Sequence, residues 1–283
     1  MVLRSAGRGW ELAGRRVGPQ GQGVDQVGDR ISPVIRKAFA VAALLVLASC
    51  GESGSQSSTK LPSTLTVFAA SSLRPPFDKI AAKLKSSQNI TTTFNYAGTQ
   101  TLATQVTQGA HADVFAAADT THMKTLNDAG LLGGDPKVFV HNRLEIVVER
   151  GNPKAIHGLA DLARSGLIVV LADPSVPAGD YARQALAKAG VTVHPASLEQ
   201  QVTAVLSKVA LGEADAGIVY HSDVVTNSKV EGVAIPDAQN VIADYSIGKL
   251  FLTEHADGAD AFIAYVLSPA GQSILKSAGF TGI

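Results

Sequence analysis

Short apolar runs and stretches of helical periodicity alternate along most of this chain. Residues 65–70, "LTVFAA", form a strand-type run, and after them Phe77, Ile80, Ala81 and Leu84 fall on one helical face. Residues 90–96, "ITTTFNY", again read as a strand, residues 99–110, "TQTLATQVTQGA", as a helix, and residues 112–118, "ADVFAAA", as a strand. Further on, "LEIVVE" at 144–149 and "GLIVVLA" at 166–172 are strands that each feed helical sequence. This alternation predicts an α/β fold of parallel-type sheets flanked by helices on both faces.

Two later helices are legible in more detail. Over 181–190, Tyr181, Ala182, Ala185, Leu186 and Ala189 share a face and the pattern stops at Gly190. Over 198–211, Val202, Val205, Leu206, Val209 and Ala210 share a face and the pattern stops at Gly212. Ser197 and Gln200 have the spacing of a capping box opening this second helix.

The first 49 residues follow a different pattern. Arg36 and Lys37 precede an apolar run, "AFAVAALLVL" at 38–47, too short to span a bilayer, and "LASC" closes it at Cys50. This reads as an export signal at 1–49. Cys50 is the single cysteine of the 283-residue chain, so a disulfide within the chain is excluded, and its place in a small-residue box points to lipid attachment after cleavage. The box resembles a bacterial lipoprotein signal. The Gly- and Arg-rich residues 1–33 have no periodicity and read as an extension ahead of a start near Val34. Residues 50–63 are small and polar, the composition of a flexible tether. They would hold the folded part off the outer face of the cell membrane.

From Cys50 on, the chain keeps 17 of the 24 basic and 21 of the 24 acidic residues, a net charge of −4. A mildly acidic chain without a basic patch is a poor partner for nucleic acid.

The candidate chemistry lies where strands run into helices. The first four N–H groups of a helix lack intrahelical acceptors and its dipole is positive there, so anions settle at such ends. "AASSLRPP" at 69–76 places Ser71 and Ser72 at one such junction, with Pro75 and Pro76 suited to a first turn; either serine also has the chemistry of a helix cap. "NYAGTQTL" at 95–102 and "ADPSVPAGDYA" at 172–182 repeat the arrangement. Three such junctions suggest amino ends converging on one ligand.

These segments, with "GEADAGIVYHSDV" at 212–224 and "PAGQSILKSAGF" at 269–280, resemble in order and spacing the molybdate-binding solute receptors of bacterial ABC transporters. The resemblance runs from about residue 64 to the end. It implies a two-lobed periplasmic-binding-protein fold of type II, with residues 64–142 and 244–283 in one lobe, residues 143–243 in the other, and the ligand in the cleft. It further implies a molybdate or tungstate oxyanion held by neutral donors alone, with no direct metal ligand, no further cofactor and no catalysis. Position by position these donors fall on the hydroxyls of Ser72, Thr99 and Tyr220 and the backbone amides of Ala178 and Val202. Ser71 stands where the family has alanine, and Thr99 where serine is common. The Ser197 capping box conflicts with Val202, whose amide would lie a full turn inside the helix; the resemblance requires a start nearer Gln200. The implied partners are a membrane permease with its ATPase, and the implied state is a monomer.

Donors alone suit a fully ionised dianion, which only accepts hydrogen bonds. Monohydrogen phosphate also donates one, which calls for a carboxylate; Asp113, Asp173 and Asp180 are the nearest candidates. Asp173 reads as a turn residue before Pro174, Asp180 as a first-turn acid and Arg74 as a solvated surface side chain. A receptor for sulfate or phosphate and an enzyme on a two-lobed scaffold remain as alternatives. For the latter, none of the seven histidines stands in a nucleophile-elbow or helical metal-ligand pattern, His221 beside Tyr220 being the one to inspect, and no phosphate-binding glycine loop occurs.

Overall fold

The strands at 64–70 and 114–117 are apolar on both faces because both faces are covered. In the computed structural model, which describes residues 64–283, the first half of the chain runs β1 (Thr64–Ala70), α1 (Arg74–Gln88), β2 (Thr91–Ala97), α2 (Thr99–Thr107), β3 (Val114–Ala117), α3 (Thr121–Asp128) and β4 (Lys137–Glu149). Next come β5 (Val169–Ala172), α4 (Pro177–Ala189), β6 (Ser197–Glu199), α5 (Val202–Ala210), β7 (Ala216–Tyr220), α6 (His221–Val225) and β8 (Val230–Ala234). The chain closes with β9 (Ile242–Lys249), α7 (Ala256–Leu267), α8 (Pro269–Ser277) and β10 (Thr281–Gly282). The export signal, Cys50 and the tether lie outside the described residues. All these elements fall within one compact unit, Ser57–Ile283, which carries its own core and so what it needs to fold by itself.

The strands follow the order β2-β1-β3-β9-β4-β7-β5-β6, with β8 and β10 also paired to β4. The βαβ units give parallel pairs, β1 with β2 and β3, and β5 with β6 and β7. The sheet as a whole is mixed, because β9 runs antiparallel to β3 and β4, and β4 antiparallel to β7 and β8. Strand β4 changes partners midway: residues 137–143 pair with β9, and Leu144 onward pairs with β7. It thereby joins two halves of the sheet. Its first part was not legible as a strand because Lys137, His141, Asn142 and Arg143 break the apolar run.

Val67 and Ala69 of β1 face the main core, while Phe68 faces a smaller one with Leu102, Phe115 and Leu126. In the main core Phe77 of α1 is fully buried and meets the rings of Phe94, Phe139 and Phe262 at 6.2, 6.0 and 5.4 Å. Truncating such a side chain to alanine costs about 3–5 kcal/mol.

Helix α4 begins at Pro177, four residues ahead of the periodic stretch, and ends at Gly190 in the left-handed conformation (φ 68°). The capping box at Ser197 does not form. Ser197 instead belongs to β6, paired with Val170 of β5; its hydroxyl donates to Glu199 Oε1 at 2.6 Å, and Lys208 Nζ donates to that hydroxyl at 2.9 Å. The strand ladder and this polar cluster hold 197–199 extended, so α5 begins at Val202.

Candidate functional site

Four helix starts and one strand end meet at a single cavity. After β1, a tight 3-10 turn at Ser71–Leu73 leads into α1, and no side chain caps either helix. The capping role open to the serines is therefore unused. Ser72, 3% exposed, instead places its Oγ 2.9 Å from the hydroxyl of Tyr245 in β9. Tyr245 is fully buried, with its ring edge-on to Tyr220, Phe139 and Phe280 at 5.6, 6.4 and 5.2 Å. If the Tyr245 hydroxyl donates, that of Ser72 keeps its proton for another acceptor.

Thr99 opens α2. Its Oγ1 accepts the Ala118 N–H at 3.1 Å, which leaves the hydroxyl proton free to donate. The preceding residue, Gly98, is fixed by space: a Cβ there would lie closer than 3.0 Å to the Gln200 carbonyl oxygen. Gln100 Nε2 donates to that same carbonyl at 2.9 Å, so here the two halves of the sheet touch.

From the other half come two backbone amides. Ala178 is the second residue of α4, after Pro177, and Val202 is the first of α5. Neither N–H has an acceptor within its helix. Gly179 lets α4 start directly over the end of β5, since a Cβ there would collide with the carbonyls of Ala172 and Asp173.

Tyr220 ends β7 and is 1% exposed; its hydroxyl lies beside that of Tyr245 but makes no well-formed hydrogen bond among the described residues. Burial pushes this phenol well above its usual range, so it stays protonated and able to donate. Its N–H donates to Asp223 Oδ2 at 3.1 Å; burial of that carboxyl raises it to about 7.

The structure thus brings Ser72, Thr99, Ala178, Val202 and Tyr220 to one cavity, with Ser71, Gly98 and Pro177 also in its wall. The cavity leaves about 10 Å³ for the centre of a water-sized sphere, the scale of a single small ion and far below the roughly 300–1,000 Å³ of clefts for drug-sized molecules. Its wall offers hydroxyls and amides and no carboxylate. Asp113 accepts from Thr66 N–H and the Thr253 hydroxyl at 2.7 and 2.6 Å. Asp173 accepts from Ser175, and Asp180 from Arg183 and Gln184. None of the three lines the cavity. Arg74 is exposed, with its guanidinium 4.3 Å above the Tyr96 ring. His221 starts α6 with Nδ1 2.9 Å from Glu145 Oε1, and no histidine lines the cavity.

Sequence reasoning missed Tyr245. Alternating burial of Ala243, Tyr245 and Ile247 marks β9 as a strand, but nothing local ties Tyr245 to Ser72, 173 residues away.

Residues 65–281 match the family model described as bacterial extracellular solute-binding protein. The chain belongs to this family. Among relatives of this solute-binding protein, the molybdate-binding protein ModA of Mycobacterium tuberculosis is 43% identical over 85% of the chain and 95% of its own length. Among solved structures, the periplasmic molybdate-binding protein of Azotobacter vinelandii shares the fold at a TM-score of 0.69 and 19% identity, over 77% of this chain and 98% of that one. The sulfate-binding protein SubI of M. tuberculosis does so at 0.71 and 18%, over 78% and 87%. The fold is therefore the α/β periplasmic-binding-protein fold, and the role of this solute-binding protein is binding for transport.

Proposed function

We propose that this solute-binding protein captures molybdate, and also tungstate, between two lobes and hands it to an ABC-type permease. The observation that carries the reading is the buried hydroxyl of Tyr220, without a well-formed hydrogen bond among the described residues, in a cavity walled by donors. An unpaired buried hydroxyl is costly unless a ligand completes it. A dianion accepts from Tyr220, from the hydroxyls of Ser72 and Thr99, and from the amides of Ala178 and Val202. The starts of α2, α4 and α5 supply positive potential without a buried cation's desolvation cost. Each protein group keeps a proton to give, which matches an anion without one.

The lobes in this reading are residues 64–142 with 244–283, and residues 143–243. The change of partners in β4 between Arg143 and Leu144 supports the boundary. Contacts made to both lobes favour the closed form by as much as they are absent from the open one. Cys50, lipidated, would anchor the protein, as a monomer, to the outer face of the membrane beside its permease.

A melting-temperature panel on the Ser57–Ile283 unit with molybdate, tungstate, sulfate and phosphate tests this. A ligand at a hundred times its Kd adds about 2.7 kcal/mol of stability. Molybdate and tungstate are expected to raise Tm and sulfate and phosphate to leave it unchanged. A shift with sulfate of the same size would reassign the ligand, and no shift with any of the four would remove the oxyanion reading.

A further inference from the structure

The largest cavity described is a different one. It measures about 710 Å³, within the range of sites for organic ligands, and its wall is largely apolar. It is built where the chain passes between lobes: Arg143 comes from β4, Ile242 from β9, His221 from α6, and Lys276 and Phe280 from the end of the chain. No residue lines both cavities, but they adjoin, because Tyr220 faces the small one and His221 the large one.

Its chemistry is that of an anion site with an apolar floor. Arg143 and Lys276 are exposed and, among the described residues, neither makes an ion pair or side-chain hydrogen bond, whereas Asp237 is the single acid in the wall and His221 faces Glu145 at 2.9 Å. Ile242, 60% exposed, supplies apolar surface, with the edge of the mostly buried Phe280 behind it. An inorganic oxyanion would leave most of such a volume unfilled.

We propose that this hinge cavity is a second binding site, for a small organic anion with a flat apolar body, and that its occupation tightens molybdate binding. The coupling follows from the walls. Both cavities draw residues from both lobes and both are formed in the one arrangement described, so a ligand in either favours that arrangement, and such linkage is reciprocal. Phe280, in the wall of the large cavity, packs edge-on against Tyr245, whose hydroxyl meets Ser72 in the small one. The site itself stands without the molybdate reading; the coupling rests on it.

The test titrates the Ser57–Ile283 unit with 8-anilinonaphthalene-1-sulfonate, an aromatic sulfonate whose fluorescence rises on burial, with and without saturating molybdate. The expected result is one saturating site, weakened at least tenfold in Arg143→Ala/Lys276→Ala and in Ile242→Glu, all on exposed positions. Molybdate should tighten dye binding about 5- to 150-fold, and the dye should tighten molybdate binding by the same factor. Absence of saturation, or equal binding by the variants, would overturn the site. A coupling factor of one, where molybdate alone raises Tm, would overturn the coupling; the dye titration in plain buffer reads the site even if molybdate does not bind.

Discussion

Replacing Tyr220 by phenylalanine removes one oxygen, and the structure predicts opposite consequences for the empty and the loaded protein. In the empty protein the buried hydroxyl has the Tyr245 hydroxyl beside it but no well-formed hydrogen bond among the described residues, so its removal costs little and relieves a poorly satisfied group. The ring keeps its edge-on contact with Tyr245 at 5.6 Å. Unfolding stability without ligand should therefore hold or rise, by at most about 1–3 kcal/mol, the cost of an unpaired buried polar group. In the loaded protein the same change removes a hydrogen bond to a charged oxygen, worth about 1.5–3 kcal/mol. Molybdate affinity should fall roughly ten- to a hundredfold, since each 1.4 kcal/mol is a factor of ten. Urea unfolding of the ligand-free protein and calorimetric titration with molybdate measure the two halves. An unchanged Kd would remove Tyr220 from the ligand set. A loss of more than about 1 kcal/mol without ligand would mean that the hydroxyl is bonded within the protein and is not held for an anion.

Tyr245→Phe deletes the partner of Ser72, so molybdate binding should weaken several-fold, and the double variant with Ser72→Ala should show a coupling of about 0.5–3 kcal/mol in a mutant cycle; strict additivity would mean that Tyr245 does not orient Ser72. Gly98→Ala forces a Cβ against the Gln200 carbonyl, where the two halves of the sheet touch; molybdate affinity should drop at least tenfold, and equal affinities would show that this contact does not bear on ligand binding. Asp223 carries a pH signature. Its carboxyl is raised to about 7 in the fold by burial against about 3.9 when unfolded, so the folded state binds the extra proton and stability falls as pH rises from about 4 to about 7, then levels. Asp223→Asn, which keeps an acceptor for the Tyr220 N–H, should abolish that component of the slope in urea melts at stepped pH; identical slopes would show that the buried carboxyl does not titrate there.

Much of the architecture was legible because it is local. The apolar run of β1 against the 3.6-residue face of α1, the stop of α4 at Gly190 and the repeated strand-to-helix junctions depend on residues a few positions apart, where periodicity and helix-end chemistry act. Together with a family resemblance, this sufficed to name five residues that the fold brings to one cavity. Other decisions were tertiary. Ser197 and Gln200 carry a sound capping pattern, yet pairing of 197–199 with β5 and the Lys208–Glu199–Ser197 cluster hold that segment extended. That pairing moves the start of α5 to Val202 and leaves its amide free. The extension of β4 back to Lys137 through polar residues follows from its ladder with β9, which no local signal encodes. Which groups have protons to donate follows from residue identity alone. Where those protons point was decided only by packing: Tyr245 reaches Ser72 across 173 positions, and Tyr220 is buried without a well-formed hydrogen bond among the described residues, because contacts between strands distant in the chain are set by closure of the whole sheet.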